Sequence, residues 1–345
     1  MLNWTPPDHW LRITSIDAHT GGEPLRIITS GFPDLQGSTI LEKRQYARTH
    51  YDHLRRTLMW EPRGHADMYG AILTPPVTPD GDIGVLFMHN EGFSTMCGHG
   101  IIGLVKVGVQ TGMFPVTGDE TVVKIDTPAG RVTATAHLRN GQVEHVSFLN
   151  VPSFLYEQDL IVDVDGLGKV TYDIAFGGAF YAYVDVDQPA LKGVVIDDKH
   201  QTQLIDVGMR IKRAVMNTVT LRHPEGDDDL NFLYGTILVK MLHTEDVHSR
   251  NVCVFAEGEV DRSPTGTGVS GRLAIHHAKG DLRLEETITI ESLIGSRFTG
   301  RVAETVEVGG LPAIIPEVAG TAFITGQHTF LIDPDDPLKD GFILR

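Results

Sequence analysis

The sequence runs to 345 residues with a formal net charge of −16, a length that suits two domains better than one core. The acidic balance leaves no basic surplus for a phosphate backbone, which sets nucleic acid aside as a partner. Ordinary hydrophobic content without a long apolar run sets aside disorder and a membrane-spanning helix, and two cysteines form no disulfide framework.

The first residues, Met1 to Asp8, lack a basic start followed by an apolar run, so the expectation is a soluble cytoplasmic enzyme. Alternating runs at 12–17 and 25–28, split by Gly21-Gly22-Glu23-Pro24, predict an antiparallel hairpin. A helical period covers Leu41 to Leu58, with Arg48, Arg55 and Arg56 expected on a solvated face. A second hairpin is predicted from 122–125 and 132–136 around Thr127-Pro128-Ala129-Gly130. The segment 218–230, with Asp227, Asp228 and Asp229, reads as a solvated acidic loop. Asn251 to Phe255 alternates as a strand, and its Cys253 reads as a packing residue. His276 and His277 are adjacent in a helical stretch and diverge, which argues against a shared metal.

An internal repeat organises the chain. Residues 97–112 and 265–280 both carry glycine at their second, fourth, seventh and last positions, with apolar residues between. The final glycine is where a helix would stop. Each repeat predicts a glycine-rich turn followed by a mostly apolar helix that strands must surround. The fold class expected is α/β, with two similar domains, each a mostly antiparallel, barrel-like sheet around a central helix. The halves are placed at 1–158 and 159–330, and residues 331–345 form a tail of open packing.

A glycine-rich helix start gathers free backbone N–H groups and the positive end of the helix dipole, so each turn is an anion site. The same field should lower the pKa of the Cys97 thiol. His99, two residues on, is not expected to face that thiol.

The motifs Met96-Cys97-Gly98-His99-Gly100 and Asp261-Arg262-Ser263-Pro264-Thr265-Gly266-Thr267-Gly268 resemble the two marks of the proline racemase superfamily. Asp17 to Pro24, Glu61 to Met68, Asp126 to Gly130 and Phe176 to Tyr181 extend that resemblance along nearly the whole chain. In the second mark threonine replaces the family's second cysteine, as in its trans-3-hydroxy-L-proline dehydratases. The resemblance implies a diaminopimelate epimerase-like fold with its site between the domains. It implies Cys97 as the acid/base, with Thr265 at the opposite catalytic position. Gly98, His99, Gly266 and Thr267 would bind the substrate carboxylate, and Asp261 the ring nitrogen. No cofactor and no metal are implied, and a homodimer is left open.

Racemisation needs a proton removed on one face and another delivered on the opposite face, and a threonine hydroxyl titrates too far from neutrality for either task. Dehydration needs one base. In trans-3-hydroxy-L-proline the Cα hydrogen and the 3-hydroxyl share a face, so one thiol could serve both. The expectation is therefore a hydro-lyase giving Δ1-pyrroline-2-carboxylate. The alternatives are a proline racemase, a 4-hydroxyproline epimerase, or a non-catalytic protein that binds a proline-type carboxylate.

Overall fold

The computed structural model describes residues 4–225, 228–242 and 244–344. In the first part, β1 (Leu11–Thr20) and β2 (Glu23–Ser30) form the first hairpin, followed by α1 (Ile40–His50) and α2 (Asp52–Met59). Then come β3 (Tyr69–Thr74), β4 (Ile83–His89), β5 (Phe93–Ser94), α3 (Gly98–Gln110), β6 (Glu120–Thr127), β7 (Gly130–Arg139) and β8 (Gln142–Leu149). The second part holds β9 (Phe154–Val164), β10 (Gly168–Phe176), β11 (Phe180–Asp185), α4 (Gln201–Met216), β12 (Leu233–Met241), β13 (Ser249–Phe255) and β14 (Glu259–Val260). It continues with α5 (Gly266–Lys279), β15 (Thr287–Glu291), β16 (Arg297–Val308) and β17 (Leu311–Gly320), and the chain closes on β18 (Ala322–Ile332).

Strand pairing draws the duplication. One half orders its strands β18, β1, β2, β3, β4, β6, β7, β8, with β2–β3 and β4–β6 parallel and the rest antiparallel. The other orders them β9, β10, β11, β12, β13, β15, β16, β17, with parallel pairs β11–β12 and β13–β15 at the matching steps. Thus β18 returns along β1 and occupies in the first half the place that β9 holds in the second. The two sheets join edge to edge where β8 pairs with β17. The segment 333–344 turns back onto α2, where the Phe342 N–H reaches the Glu61 carbonyl at 2.9 Å.

Each sheet curls around one helix. All of α3 except its last residue is buried, and α5 is buried from Gly266 to Ile275. An apolar helix without a polar face is stable only when enclosed in this way. α3 packs on β1, β7, β8 and β18, and α5 on the equivalent β10, β16, β17 and β9.

Three expectations need correction. The helix over 41–58 is two helices, broken at Tyr51, whose φ of −128° and ψ of 18° lie outside the helical region. Arg55 is buried instead of solvated, because the chain after β4 turns its His89 and Asn90 carbonyls onto the guanidinium and Asp52 binds its other edge. In the acidic segment, Gly226 and Asp227 lie outside the described residues. Asp229 is no solvated turn residue, since it takes an ion pair from buried Arg44 at 3.0 Å and so ties the halves together.

Candidate active site

The glycine-rich turns place the N-termini of α3 and α5 end to end across the seam between the halves. A Cβ on Gly98 would lie 2.5 Å from the Gly266 Cα, so only two glycines allow this approach. Between the helix ends is a cavity of about 20 Å³, the room one water needs. Cys97, Gly98, His99, Asp261, Thr265, Gly266 and Thr267 all line it. The structure thus brings together every site residue expected from the sequence. It adds Met96, Tyr69, Tyr181, Tyr234, Phe255 and Cys253.

The first-turn N–H groups of both helices have no acceptor four residues back, and here they converge with two dipoles of the same sign. The turns differ in their use of the capping side chain. Cys97 has an extended backbone, and its Sγ accepts from the Gly100 N–H at 3.3 Å. Thr265 caps nothing; its hydroxyl donates to Asp261 Oδ2 at 2.8 Å. Asp261 Oδ1 meanwhile accepts from the Ser263 N–H, so this carboxylate both shapes its own turn and faces the cavity.

Burial pushes the Cys97 thiol well above its usual range; the Gly100 N–H pulls it back and Asp261 pushes it further up. The expected lowering is therefore reversed: with the cleft shut, loss of water outweighs the helix field. His99 also departs from expectation. Its Nδ1 lies 3.2 Å from Cys97 Sγ, because the Thr20 hydroxyl holds the His99 carbonyl at 2.9 Å and the Pro24 carbonyl takes a ring N–H. Burial lowers the His99 pKa. A neutral ring with one N–H on a carbonyl presents its other nitrogen as an acceptor for the thiol proton.

Aromatic hydroxyls complete the walls. Tyr69 lies within 2.5 Å of Ser94 Oγ and 3.4 Å of the Tyr234 hydroxyl, and Tyr181 bonds Thr267 Oγ1 at 2.7 Å. Burial raises the pKa of all three phenols, which are donors at neutral pH. Cys253 is buried as a packing residue would be, yet its thiol also contacts the Thr265 side chain at the cavity wall. Of these, the sequence singled out only Cys253, as a packing residue, and Tyr181, at the end of a family-like segment; Tyr69 and Tyr234 belong to no motif.

His276 lies on α5, where its Nε2 accepts from buried Arg272 at 2.8 Å, and His277 faces the Leu282 carbonyl. Among the described residues no group of three His, Cys, Asp or Glu side chains could hold a metal ion. No helix among them is long and apolar enough to cross a membrane.

A profile of the family described as proline racemase matches residues 15–343. The chain is 52% identical to a trans-3-hydroxy-L-proline dehydratase of Colwellia psychrerythraea, over 99% of this chain and 96% of that protein. It is 45% identical to a 3-hydroxyproline 2-epimerase of Burkholderia multivorans, over 96% of this chain and 98% of that one. Among solved structures, a hydroxyproline epimerase from Agrobacterium vitis with bound trans-4-hydroxy-L-proline superposes with a TM-score of 0.90. It is 30% identical and matches 97% of this chain and 96% of its own.

Proposed function

The chain belongs to the proline racemase family, and on that premise we propose that it dehydrates trans-3-hydroxy-L-proline to Δ1-pyrroline-2-carboxylate. The observation that carries the proposal is the asymmetry of the cavity. Cys97 faces it from one helix start and Thr265 from the other, with the threonine proton committed to Asp261. The relative in Colwellia psychrerythraea, named for this reaction, supports the choice of substrate.

In this mechanism the N–H groups of Gly98, His99, Gly266 and Thr267 receive the carboxylate, and Asp261 receives the ring ammonium. That cation cancels the carboxylate charge that raises the thiol, and His99 accepts the thiol proton. The Cys97 thiolate takes the Cα hydrogen, and the electron pair left behind is stabilised as charge flows onto the carboxylate, an effect of about 3 kcal/mol per well-placed donor. The pair then forms the Cα–Cβ double bond, the C3–O bond breaks, and Cys97 returns its proton to the departing hydroxyl. The enamine tautomerises to the imine. Thr265 holds the opposite wall. The working form we propose is a cytoplasmic, cofactor-free enzyme whose site is complete within one subunit.

A second reading is 2-epimerisation of the same amino acid, favoured by the relative in Burkholderia multivorans and by the Cys253 thiol beside Thr265. Incubation with trans-3-hydroxy-L-proline in deuterated water separates them. Dehydration yields imine, is lost in Cys97→Ala and survives in Cys253→Ala. Accumulation of cis-3-hydroxy-D-proline, abolished by Cys253→Ala, would overturn the proposal.

A further inference from the structure

Three carboxyl groups and one guanidinium meet in the seam beside the Thr265 turn, and of them only Asp261 lines the cavity. Glu23, the first residue of β2, is wholly buried. Its Oε2 accepts the Arg262 backbone N–H at 2.7 Å and lies 4.0 Å from the Arg262 guanidinium, which bonds Asp67 at 2.8 Å. Glu23 Oε1 is buried with no hydrogen-bond partner among the described residues. The charged and titratable groups facing Glu23 are Asp261, Arg262 and Asp67, with the Cys97 and Cys253 thiols beyond them. In its own hairpin His19 accepts the Gly22 N–H.

We propose that Glu23 is a positioning residue of the site, reaching across the seam to fix the loop that carries Asp261 and Thr265 against the hairpin that steadies His99. One side of that hairpin holds the α3 start, through Thr20 and Pro24 on His99. Its turn packs on the other half, where a Cβ at Gly21 would lie 3.3 Å from Ser263 Cβ. From Arg262 the order passes inward by hydrogen bonds: the Ser263 N–H to Asp261, the Thr265 N–H to Ser263 Oγ, and the Thr265 hydroxyl to Asp261. A shift at Arg262 therefore moves both residues that face Cys97 across the cavity.

The tie works as a neutral carboxyl. Asp67 and Asp261 already outnumber the single guanidinium, and a third buried negative charge would have no partner. Burial, then Asp261, hold the Glu23 carboxyl well above its usual range, against the pull of Arg262. The sign follows: the tie is intact below the raised value and loosens as pH rises through it, when a bare charge appears beside Asp261.

The inference takes the reaction proposed above as one readout and needs a second that does not depend on it. Glu23→Gln keeps the acceptor and the shape but cannot ionise; Glu23→Ala removes the tie. Glu23→Ala should lose about 100-fold in kcat with its fold intact, while Glu23→Gln stays within about threefold at neutral pH. Wild-type kcat/KM should fall relative to Glu23→Gln as pH rises through the alkaline range. Hydrogen exchange at 261–265, corrected for intrinsic rates, should show protection that declines at alkaline pH in wild type and persists in Glu23→Gln. That measurement needs no turnover, so it stands even if the assigned reaction fails. Exchange with the same pH dependence in both proteins would overturn the inference, as would a folded, inactive Glu23→Gln or a fully active Glu23→Ala. If Glu23→Ala does not fold, the Glu23→Gln exchange profile decides alone.

Discussion

Thr265 adopts φ 65° and ψ 97°, whereas Cys97 at the matching place has φ −148°. Positive φ is costly for a β-branched residue, and here the bonds to Asp261 and Ser263 hold it. The same conformation turns the hydroxyl away from its own helix, so the two helix starts present chemically different faces. Thr265→Ala should therefore cost less than about tenfold in kcat, while Cys97→Ala should cost about 1000-fold or more. Thr265→Cys should add a thiol to the second face and allow deuterium to enter Cα with inversion, which chiral chromatography of the recovered amino acid would report. Cys97 must ionise from a raised pKa, so dehydration should accelerate from neutral toward mildly alkaline pH. A rate independent of pH across that range would mean that the thiol proton stays on His99 instead of leaving to solvent.

At the level of elements, α5 carries a half-buried histidine whose protonation should weaken the fold. His276 is lowered to about 3 by burial and by Arg272. Its neutral form is thus favoured in the native state, and its contribution to stability is present above the unfolded value and lost as pH falls. Between pH 7 and 4 that one group should remove about 3 kcal/mol, and melting curves of His276→Gln should show a shallower acid decline than wild type. Elements whose order lies in local alternation were legible: the hairpin of β1 and β2 and that of β6 and β7 both follow from period-two runs around turn residues. The break at Tyr51 was not, because it involves neither glycine nor proline. The gathering of the seven expected residues around one cavity was legible because each motif packs them into a few consecutive positions. Tyr69, Tyr234 and Cys253 reach the cavity from separate strands, and a strand sequence does not say which face meets the other half. Nor could the sequence reveal that burial in a closed cleft outweighs the helix field on Cys97, since burial is a property of both halves together.

The whole molecule is held shut around its site. Arg44 to Asp229 and Asn150 to Ser270 at 2.9 Å span the seam, and the space between the helix ends is too small for a five-membered ring. The halves must part to admit substrate and close again to exclude water from the carbanion. Gly98→Ala places a methyl against the Gly266 backbone and should prop the halves apart. Its kcat/KM should fall about 100-fold or more, and small-angle scattering should show no compaction on adding substrate. The return of β18 to β1 bears on something different, the order in which the molecule can be made. The barrel around α3 lacks an edge until residue 332 has been synthesised, whereas the barrel around α5 has all its strands by residue 320. The half that emerges first from the ribosome is thus the one that finishes last, leaving the β18 flank of the apolar α3 uncovered until then. A chain ended after Gly320 should retain a protease-resistant second half and expose the first to aggregation and digestion.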